Sequence, residues 1–253
     1  MLNAVIIGSG NVAQHLIKAF KKSNKIKVVQ AFSRNKESLA HLLPLSKITS
    51  DFAALKDVSL YFIAVSDNAI VEVSSKIPYS SKLVLHTSGS VAISELDSKN
   101  IRGSFYPVQT FSKTRNVDFK KIPICIEVEQ ETMYKVLDLI AFSISDSVYK
   151  ITSEQRKSLH VGAVFVNNFT NHLYQIGKEI CEENYVSFDI LKPLILETAN
   201  KIIKLSPIEA QTGPAKRNDT QTINSHLNFL SDENQKEIYK LLTKSIIDND
   251  KKL

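Results

Sequence analysis

The spacing of hydrophobic residues differs between the first 150 residues and the rest of the chain. In the first 150 residues, short runs rich in β-branched and aromatic residues recur, and several of them are separated by segments with apolar residues three and four positions apart. This alternation predicts parallel strands joined by crossover helices. The predicted strands have the sequences NAVII, IKVVQAF, VSLYFIAV, SKLVLHT, KIPICIEVE and SVYKI.

After Ile151 the strand-like runs stop and helical spacing takes over. The predicted helices cover residues 153–181, 188–205, 220–230 and 232–247. Thr152 and Gln155 have the spacing of a capping box for the first of these helices, and Asp219 is placed to cap the third. The sequence therefore predicts an α/β protein. A Rossmann-like, doubly wound, mainly parallel domain at 1–150 is followed by an all-helical domain at 151–253.

Composition narrows the function classes. The formal net charge is +6 and the sequence pI is about 9.1, which suits an anionic ligand, but no run of five basic residues occurs and nucleic acid is not expected as a partner. No apolar run approaches the roughly 20 residues of a membrane-spanning helix. Cys125 and Cys181 lie far apart, which argues against a disulfide framework or a zinc cluster and favours the reducing cytoplasm.

The stretch AVIIGSGNVAQH has the order strand, glycine turn, helix. In a dinucleotide-binding turn Gly8 permits the tight turn, Gly10 lets the backbone approach a pyrophosphate, and Ala13 allows the helix to pack closely on the strand. Ser9, Asn11 and Val12 complete the predicted phosphate-binding segment at the positive end of the helix dipole. The alternative is a structural turn that binds no ligand.

The end of the second strand indicates which dinucleotide is bound. An NAD site carries an acidic residue about 20 positions beyond the glycines, whereas this strand ends in Ser33, Arg34 and Asn35. The Arg34 guanidinium could pair with a 2′-phosphate while Ser33 and Asn35 donate further hydrogen bonds. NADP(H) is therefore the predicted cofactor, unless Arg34 only extends from the strand end into solvent.

Two more loops follow predicted strands and are expected to border the same crevice. Val65, Ser66 and Asp67 follow one strand and are assigned to the cofactor. His86 ends the next strand and is a candidate catalytic acid or base, because imidazole exchanges protons near neutral pH. Its alternative role is to hold the loop by hydrogen bonds. Ser88 and Gly89, directly after it, are assigned to substrate binding.

Four motifs carry a resemblance to a known family. The segments HTSGS, GSFYPVQTFS, NNFTNHLY and QTGPAKRNDTQTINSHL together resemble an uncharacterised bacterial family that joins a Rossmann-like domain to a helical domain of unknown function. The group is similar in architecture to pyrroline-5-carboxylate reductase, ketopantoate reductase, prephenate dehydrogenase and the 6-phosphogluconate and β-hydroxyacid dehydrogenases. The resemblance implies a nicotinamide-dependent reductase or dehydrogenase, and a homodimer formed through the helical domains.

One departure from that superfamily concerns the proton donor. β-Hydroxyacid dehydrogenases carry a catalytic lysine four residues before an asparagine, and if Asn168 takes the asparagine position, Val164 occupies the lysine position. His160, Asn168 and His172 follow one another at intervals of eight and four, which predicts a common helix face. Asn168 could hydrogen-bond a substrate carbonyl or carboxamide, and His172 or His160 could donate the proton. The alternative is a set of polar side chains that satisfy one another at an interface.

The segment TGPAKRND supplies the remaining candidates. Arg217 is placed to bind an anionic group of the substrate, with Asp219 capping the next helix and orienting its neighbour. A salt bridge between the two is the alternative. His226 follows two turns along that helix, and no metal site is expected from these scattered histidines.

The sequence thus predicts a cytoplasmic NADP(H)-dependent oxidoreductase. It would transfer hydride between the nicotinamide and a small polar carbonyl, imine or hydroxy substrate, expected to be anionic and to bind between the two domains. The alternative function is a non-catalytic NADP(H)-binding sensor or interaction protein.

Overall fold

The computed structural model describes residues 1–250 and contains one sheet of eight strands. In spatial order the strands are β3-β2-β1-β4-β5-β6-β7-β8. Every neighbouring pair is parallel except β6 and β7. The strands are β1 (Leu2–Ile7), β2 (Ile26–Phe32), β3 (Ile48–Thr49), β4 (Leu60–Ile63), β5 (Leu83–His86), β6 (Ile101–Pro107), β7 (Ile124–Val128) and β8 (Val148–Lys150).

The helices that connect these strands cover both faces of the sheet. One buried cluster contains Leu16 and Phe62, and a separate cluster contains Tyr61 and Ile63 from the same strand. Successive residues of a strand point to opposite faces, so both faces are covered. The connecting helices are α1 (Asn11–Lys21), α2 (Glu37–Ala40), α3 (Ile70–Ser75) and α4 (Tyr134–Ile144).

Two strands lie outside the predicted set. β3 has only two residues. β6 contains a glycine and ends in a proline, and both residue types are more typical of loops than of strands. Gly103 is required within β6, because a Cβ there would stand 2.6 Å from the carbonyl oxygen of Glu127. β6 and β7 pair antiparallel within a sheet that is mainly parallel, as predicted, and the predicted Rossmann-like α/β class and the helical C-terminal region are confirmed.

The remaining helices follow β8. Thr152 caps the first of them in the predicted capping box with Gln155. A π-helical segment, Val164–Phe169, interrupts the single helix predicted over 153–181. The helices are α5 (Ser153–Ala163), α6 (Thr170–Glu183), α7 (Lys192–Lys204), α8 (Pro207–Ala210), α9 (Thr220–Phe229) and α10 (Glu233–Asp250).

The chain divides into two compact units, one from Met1 to Asn167 and one from Asn168 onward. Secondary structure changes from strands to helices at the predicted boundary near residue 150, but the sheet-containing unit extends 17 residues further. The reason is that α5 is tied to the sheet: Arg156 forms an ion pair with Glu127 of β7. We call the two units the sheet unit and the helical unit.

Candidate functional site

The glycine turn after β1 has the geometry that a dinucleotide requires. Gly8 has φ +130°, which side-chain-bearing residues rarely adopt, and a Cβ built there would overlap the carbonyl oxygen of Ala64 at the end of β4. Gly10 differs, because a Cβ there would have no heavy atom within 4 Å. Gly8 therefore allows the turn to pack against the end of β4, while the space next to Gly10 is open to a ligand.

Helix α1 begins directly after Gly10. No side chain caps its N-terminus, and its first turn contains no acidic residue. The first N–H groups of the helix and the positive end of its dipole are therefore available to an anion. Ala13 is completely buried, as predicted for close packing of α1 on β1.

The loop after β6 lies against the start of α1. The Asn11 side-chain amide donates to the carbonyl of Phe111 at 2.7 Å, and a ring nitrogen of His15 lies 3.0 Å from the carbonyl of Ser112. The side chain of Asn11 thus holds this loop, which leaves its backbone N–H as the group that could meet a phosphate. This loop belongs to the segment GSFYPVQTFS, to which sequence reasoning assigned no site residue.

The three residues after β2 have different roles. Arg34 and Asn35 are exposed, as a grip on a 2′-phosphate requires. Ser33 is buried, and its hydroxyl donates to the carbonyl of Asn35 at 2.6 Å and lies 3.0 Å from the Ser38 hydroxyl. This corrects the role of Ser33: its hydroxyl shapes the turn that presents Arg34 and is not available to a ligand.

After β4 the chain turns outward as predicted. Val65 is half-buried, while Ser66 and Asp67 are exposed at the start of a short 3₁₀ turn, Asp67–Ala69. These residues lie at the carboxyl edge of the sheet, beside the Gly8 turn through the contact of Gly8 with Ala64. The geometry brings the two predicted cofactor segments together.

His86 does not have the properties of a proton donor. Its side chain is 0% exposed, and burial, with a smaller effect of the Arg156 charge, lowers its pKa to about 3. Its Nδ1 accepts a hydrogen bond from the Ser88 backbone N–H at 3.2 Å. This corrects the catalytic assignment of His86, because a buried neutral imidazole bonded to its own loop matches the loop-holding alternative.

Ser88 and Gly89 lie in the loop after β5. The Ser88 hydroxyl oxygen accepts from the backbone N–H groups of Ser90 and Val91, at 3.0 and 3.1 Å, so it stabilises the loop. Gly89 packs against α5, where a Cβ on the glycine would stand 2.6 Å from the His160 ring. A contact of substrate with the side chain of Ser88 therefore lacks support, whereas the backbone at Gly89 remains a candidate.

A buried ion pair attaches α5 to the sheet. Arg156 is 1% exposed, and its guanidinium pairs with Glu127 and donates to the carbonyl of Val91. Glu127 also accepts from the backbone N–H and the hydroxyl of Ser153, at 2.9 and 2.8 Å. Because the loop after β5 and strand β7 both bind α5, the position of α5 in the sheet unit is well defined.

Tyr106 and His160 form a pair that sequence reasoning missed. The Tyr106 hydroxyl lies 3.0 Å from Nδ1 of His160, and the rings meet edge to face. Tyr106 belongs to the quoted segment GSFYPVQTFS, but only its place in β6 reveals that it stands at the carboxyl edge. If β6 had been predicted as a strand, the position of Tyr106 near its end would have placed this tyrosine at the carboxyl edge.

In the helical unit, Asn168 and His172 are exposed. The common face predicted for His160, Asn168 and His172 assumes an unbroken α-helix. The π-helical segment, which contains Asn168, changes the rotation per residue before α6 begins at Thr170. The common face therefore stays a prediction, as do the catalytic roles of Asn168 and His172.

The TGPAKRND segment forms a capped turn. Asp219 accepts from the backbone N–H and hydroxyl of Thr222, at 3.0 and 2.8 Å, which confirms it as the cap of α9 and lowers its pKa. Arg217 is exposed, and within residues 1–250 no ion pair joins it to Asp219. His226 instead meets Tyr239, with 2.8 Å between Nδ1 and the hydroxyl.

Residues 1–250 contain neither a candidate metal cluster nor a candidate membrane-spanning helix. No group of three or more histidine, cysteine, aspartate or glutamate side chains is arranged to hold a metal ion. None of the helices in this range combines the length and apolar character needed to cross a bilayer.

The fold and the glycine turn together define a two-domain dinucleotide-binding protein, and comparisons identify its family. A profile described as "NADP oxidoreductase coenzyme F420-dependent" matches residues 3–88, and one described as "Domain of unknown function (DUF2520)" matches residues 122–246. A Bacteroides fragilis protein provisionally assigned as an NADP oxidoreductase is 40% identical over 98% of both chains, with a TM-score of 0.89. The chain belongs to this family of NADP oxidoreductases with a DUF2520 domain, which confirms the predicted enzyme class and NADP(H) as its cofactor class.

More distant solved structures share the fold. A Thermotoga maritima protein is 20% identical over 98% of this chain and 99% of its own, with a TM-score of 0.74. Pyrroline carboxylate reductase from Plasmodium falciparum, solved with NADP bound, is 16% identical over 97% and 98%, with a TM-score of 0.58. None of the curated protein sequences matches the chain.

Proposed function

We propose that this protein binds NADP(H) at the carboxyl edge of its sheet and transfers hydride between the nicotinamide and a small polar, anionic substrate. The substrate class is a carbonyl, an imine or the corresponding hydroxy compound. The observation that carries the proposal is the glycine turn, in which Gly8 has no room for a side chain while the surroundings of Gly10 at the start of α1 are open. The names of the Bacteroides and Plasmodium proteins support the same cofactor.

The cofactor contacts follow from the charges at the sheet edge. The pyrophosphate would accept hydrogen bonds from the backbone N–H groups of Gly10, Asn11 and Val12, where the helix dipole favours negative charge. The exposed Arg34 would pair with the 2′-phosphate, and the side-chain amide of Asn35 would donate to it. These residues fit a phosphorylated dinucleotide because no carboxylate follows β2 at Ser33–Asn35 to repel the 2′-phosphate.

The bound nicotinamide supplies the hydride chemistry, and the chain supplies alignment. Val65, Ser66 and the backbone at Gly89 border the position proposed for the nicotinamide. Assignment of Asn168, His172 and Arg217 to the substrate stays a prediction, as does the cytoplasmic location. An anionic substrate suits the exposed Arg217.

We further propose that the helical unit pairs with that of a second copy of the chain. Helices α6 to α9 bury no residue, although α6, α7 and α9 are amphipathic. On α7, Leu196 and Ile203 are seven positions apart on one face and are 63% and 79% exposed. A monomer rarely leaves so much apolar helix surface in water. The other large exposed apolar residues of this unit include Leu194, Ile202, Ile190, Phe229 and Leu241.

Titration of the purified protein with NADPH and with NADH, followed by nicotinamide fluorescence, tests the cofactor site. Wild-type protein is expected to bind NADPH at least about tenfold more tightly, a difference of about 1.4 kcal/mol. Arg34→Ala should lose this preference with little change in NADH affinity. Lys27→Ala is the matched control, because Lys27 is exposed near the opposite end of β2 and its loss removes the same charge.

Three other outcomes would contradict different parts of the proposal. If neither nucleotide binds at submillimolar concentration, the glycine turn has only a structural role and the proposed function is wrong. Equal loss of preference in Arg34→Ala and Lys27→Ala would assign it to net charge. Tight NADPH binding without turnover of any carbonyl or imine would favour the sensor alternative.

A further inference from the structure

Tyr106 and His160 make a polar contact at the carboxyl edge of the sheet. Tyr106 lies one residue before the end of β6, and its half-buried hydroxyl is 3.0 Å from Nδ1 of His160 on α5. The ring centroids are 5.9 Å apart at 78°. The contact therefore has hydrogen-bond distance and a defined ring orientation.

This pair adjoins both loops that border the proposed nicotinamide position. Strand β6 is parallel to β5, so Tyr106 ends at the same edge as His86 and the loop to Gly89. The backbone of Gly89 lies against the His160 ring, where a Cβ would stand 2.6 Å away. Asp67, in the loop after β4, is close enough for its charge to act on the Tyr106 hydroxyl.

Reduction of a carbonyl or imine needs a proton as well as a hydride, and the described sheet unit offers few donors at this edge. His86 is buried and neutral, and if Asn168 takes the asparagine position of the β-hydroxyacid dehydrogenases, Val164 stands where their catalytic lysine would be. Burial, the first cause, raises the pKa of Tyr106, the Asp67 charge adds to the rise, and the Arg156 charge opposes it. The phenol therefore carries its proton at neutral pH, and it can pass that proton to the alkoxide or amide anion that hydride addition leaves, because either anion is a stronger base than a phenolate.

We propose that Tyr106 is the proton donor of the reaction and that His160 is its positioning residue, returning the proton after each turnover. The inference rests on the proposed function. In the direction of reduction, a bound nicotinamide would supply the hydride, with its electron pair, for the new C–H bond. The π electrons of the C=O or C=N bond move to the heteroatom, which takes the proton from the Tyr106 hydroxyl.

The proton balance closes through His160. The Tyr106 phenolate takes the hydrogen from Nδ1 of His160, and Nε2 of the same ring takes one from solvent, so that the net proton comes from water. Proton exchange of the ring with solvent then restores the Nδ1–H tautomer for the next turnover. His160 is half-buried, which lets the ring bond Tyr106 on one side and exchange with solvent on the other. In the resting state the Nδ1–H donates to the phenolic oxygen, leaving the phenolic hydrogen for the substrate.

The test uses NMR of protein labelled with ¹³Cζ-tyrosine, which requires no known substrate. The chain has eight tyrosines, and the Tyr106 signal is the one absent from Tyr106→Phe. The probes are NADP⁺ and adenosine 2′,5′-bisphosphate, which has the adenosine half without the nicotinamide. NADP⁺ is expected to shift the Tyr106 signal, the bisphosphate is expected to leave it in place, and His160→Ala should shift it without any ligand.

The outcomes separate the two proposals. If NADP⁺ binds and the Tyr106 signal does not move, Tyr106 is distant from the nicotinamide and the inference is overturned while the proposed function stands. If neither nucleotide binds, the proposed function fails first. A His160→Ala variant with an unchanged Tyr106 signal would overturn the role of His160.

Turnover gives a second readout. For any carbonyl or imine that the wild-type protein reduces with NADPH, Tyr106→Phe should lower kcat about 100-fold or more, with the Kd for NADPH within twofold of wild type. Tyr149→Phe is the matched control, since Tyr149 is an exposed tyrosine of β8. An unchanged kcat in Tyr106→Phe would also overturn the proposal.

Discussion

The backbone of Gly8 packs directly on the carbonyl of Ala64, so the turn after β1 and the end of β4 leave no space for a side chain between them. The positive φ of Gly8 adds a second restriction. We expect Gly8→Ala to destabilise the sheet unit by several kcal/mol, because the added methyl both overlaps the carbonyl and requires a strained backbone. Thermal and urea unfolding should show a clear drop in the free energy of unfolding.

Gly10→Ala is expected to behave differently, because its Cβ would enter open space. Its unfolding midpoint should match that of wild type within about 0.5 kcal/mol. NADPH affinity should nevertheless fall about tenfold or more, since the methyl occupies the approach of the pyrophosphate. Unchanged affinity in a well-folded Gly10→Ala variant would remove the pyrophosphate from this position.

The Arg156–Glu127 ion pair gives a prediction about stability. Arg156→Met leaves the Glu127 carboxylate almost buried without its guanidinium, and the expected loss is about 3 to 5 kcal/mol in urea unfolding. Adding Glu127→Gln removes the stranded charge while keeping an acceptor for Ser153, so the double variant should be more stable than Arg156→Met alone. Lys120→Met, which breaks the exposed pair with Asp146, is the control and should cost less than about 1 kcal/mol.

Burial of His86 makes stability depend on pH. Burial and then Arg156 lower its pKa from 6.5 to about 3, so the unfolded chain takes up a proton at pH values where the folded protein does not. The contribution of neutral His86 to the free energy of unfolding is complete above about pH 6.5. It is lost as pH falls toward 3, at about 1.4 kcal/mol per pH unit. Between pH 7 and pH 5, wild type should lose about 2 kcal/mol more than His86→Gln. Equal losses would show that His86 titrates normally.

The exposed face of α7 predicts the oligomeric state. In multi-angle light scattering, wild type should have twice the chain mass of 28.4 kDa, and Ile203→Asp should shift the protein toward the single-chain mass or unfold the helical unit, because a buried carboxylate at the interface is costly. Val71→Asp on α3 is the control, since Val71 is also exposed but lies in the sheet unit. A monomeric wild-type protein would contradict the proposed pairing of two helical units.

Much of the fold could be predicted because its signals are local. Continuous apolar runs such as NAVII and LYFI report strands buried on both faces, and the capping box at Thr152 and the cap at Asp219 need only a few neighbouring residues. The glycine turn could be predicted for the same reason, since its signal consists of one strand, two glycines and one helix.

The parts that were missed depend on residues far apart in sequence. Gly103 and Pro107 mark a loop by local rules, yet Gly103 is needed in β6 because β5 and β7 approach it closely on both sides. Because the sequence does not predict β6, it also does not predict that Tyr106 lies at the edge of the sheet. His86 seemed accessible because it ends a strand, but coverage of the sheet near Arg156 makes it buried and neutral.

The sequence by itself determined six of the eight strands, the change to helices after residue 150, the glycine turn and the absence of an acidic residue after β2, because these follow from periodicity and from chemistry at neighbouring positions. Tertiary structure alone decided which polar side chains are engaged in internal hydrogen bonds and which distant residues meet. The Ser33 hydroxyl and His86 are turned to internal bonds, while Tyr106 and His160, 54 positions apart, meet at 3.0 Å. Burial and distance between remote residues are set by packing of the sheet against α5, and no local pattern encodes them.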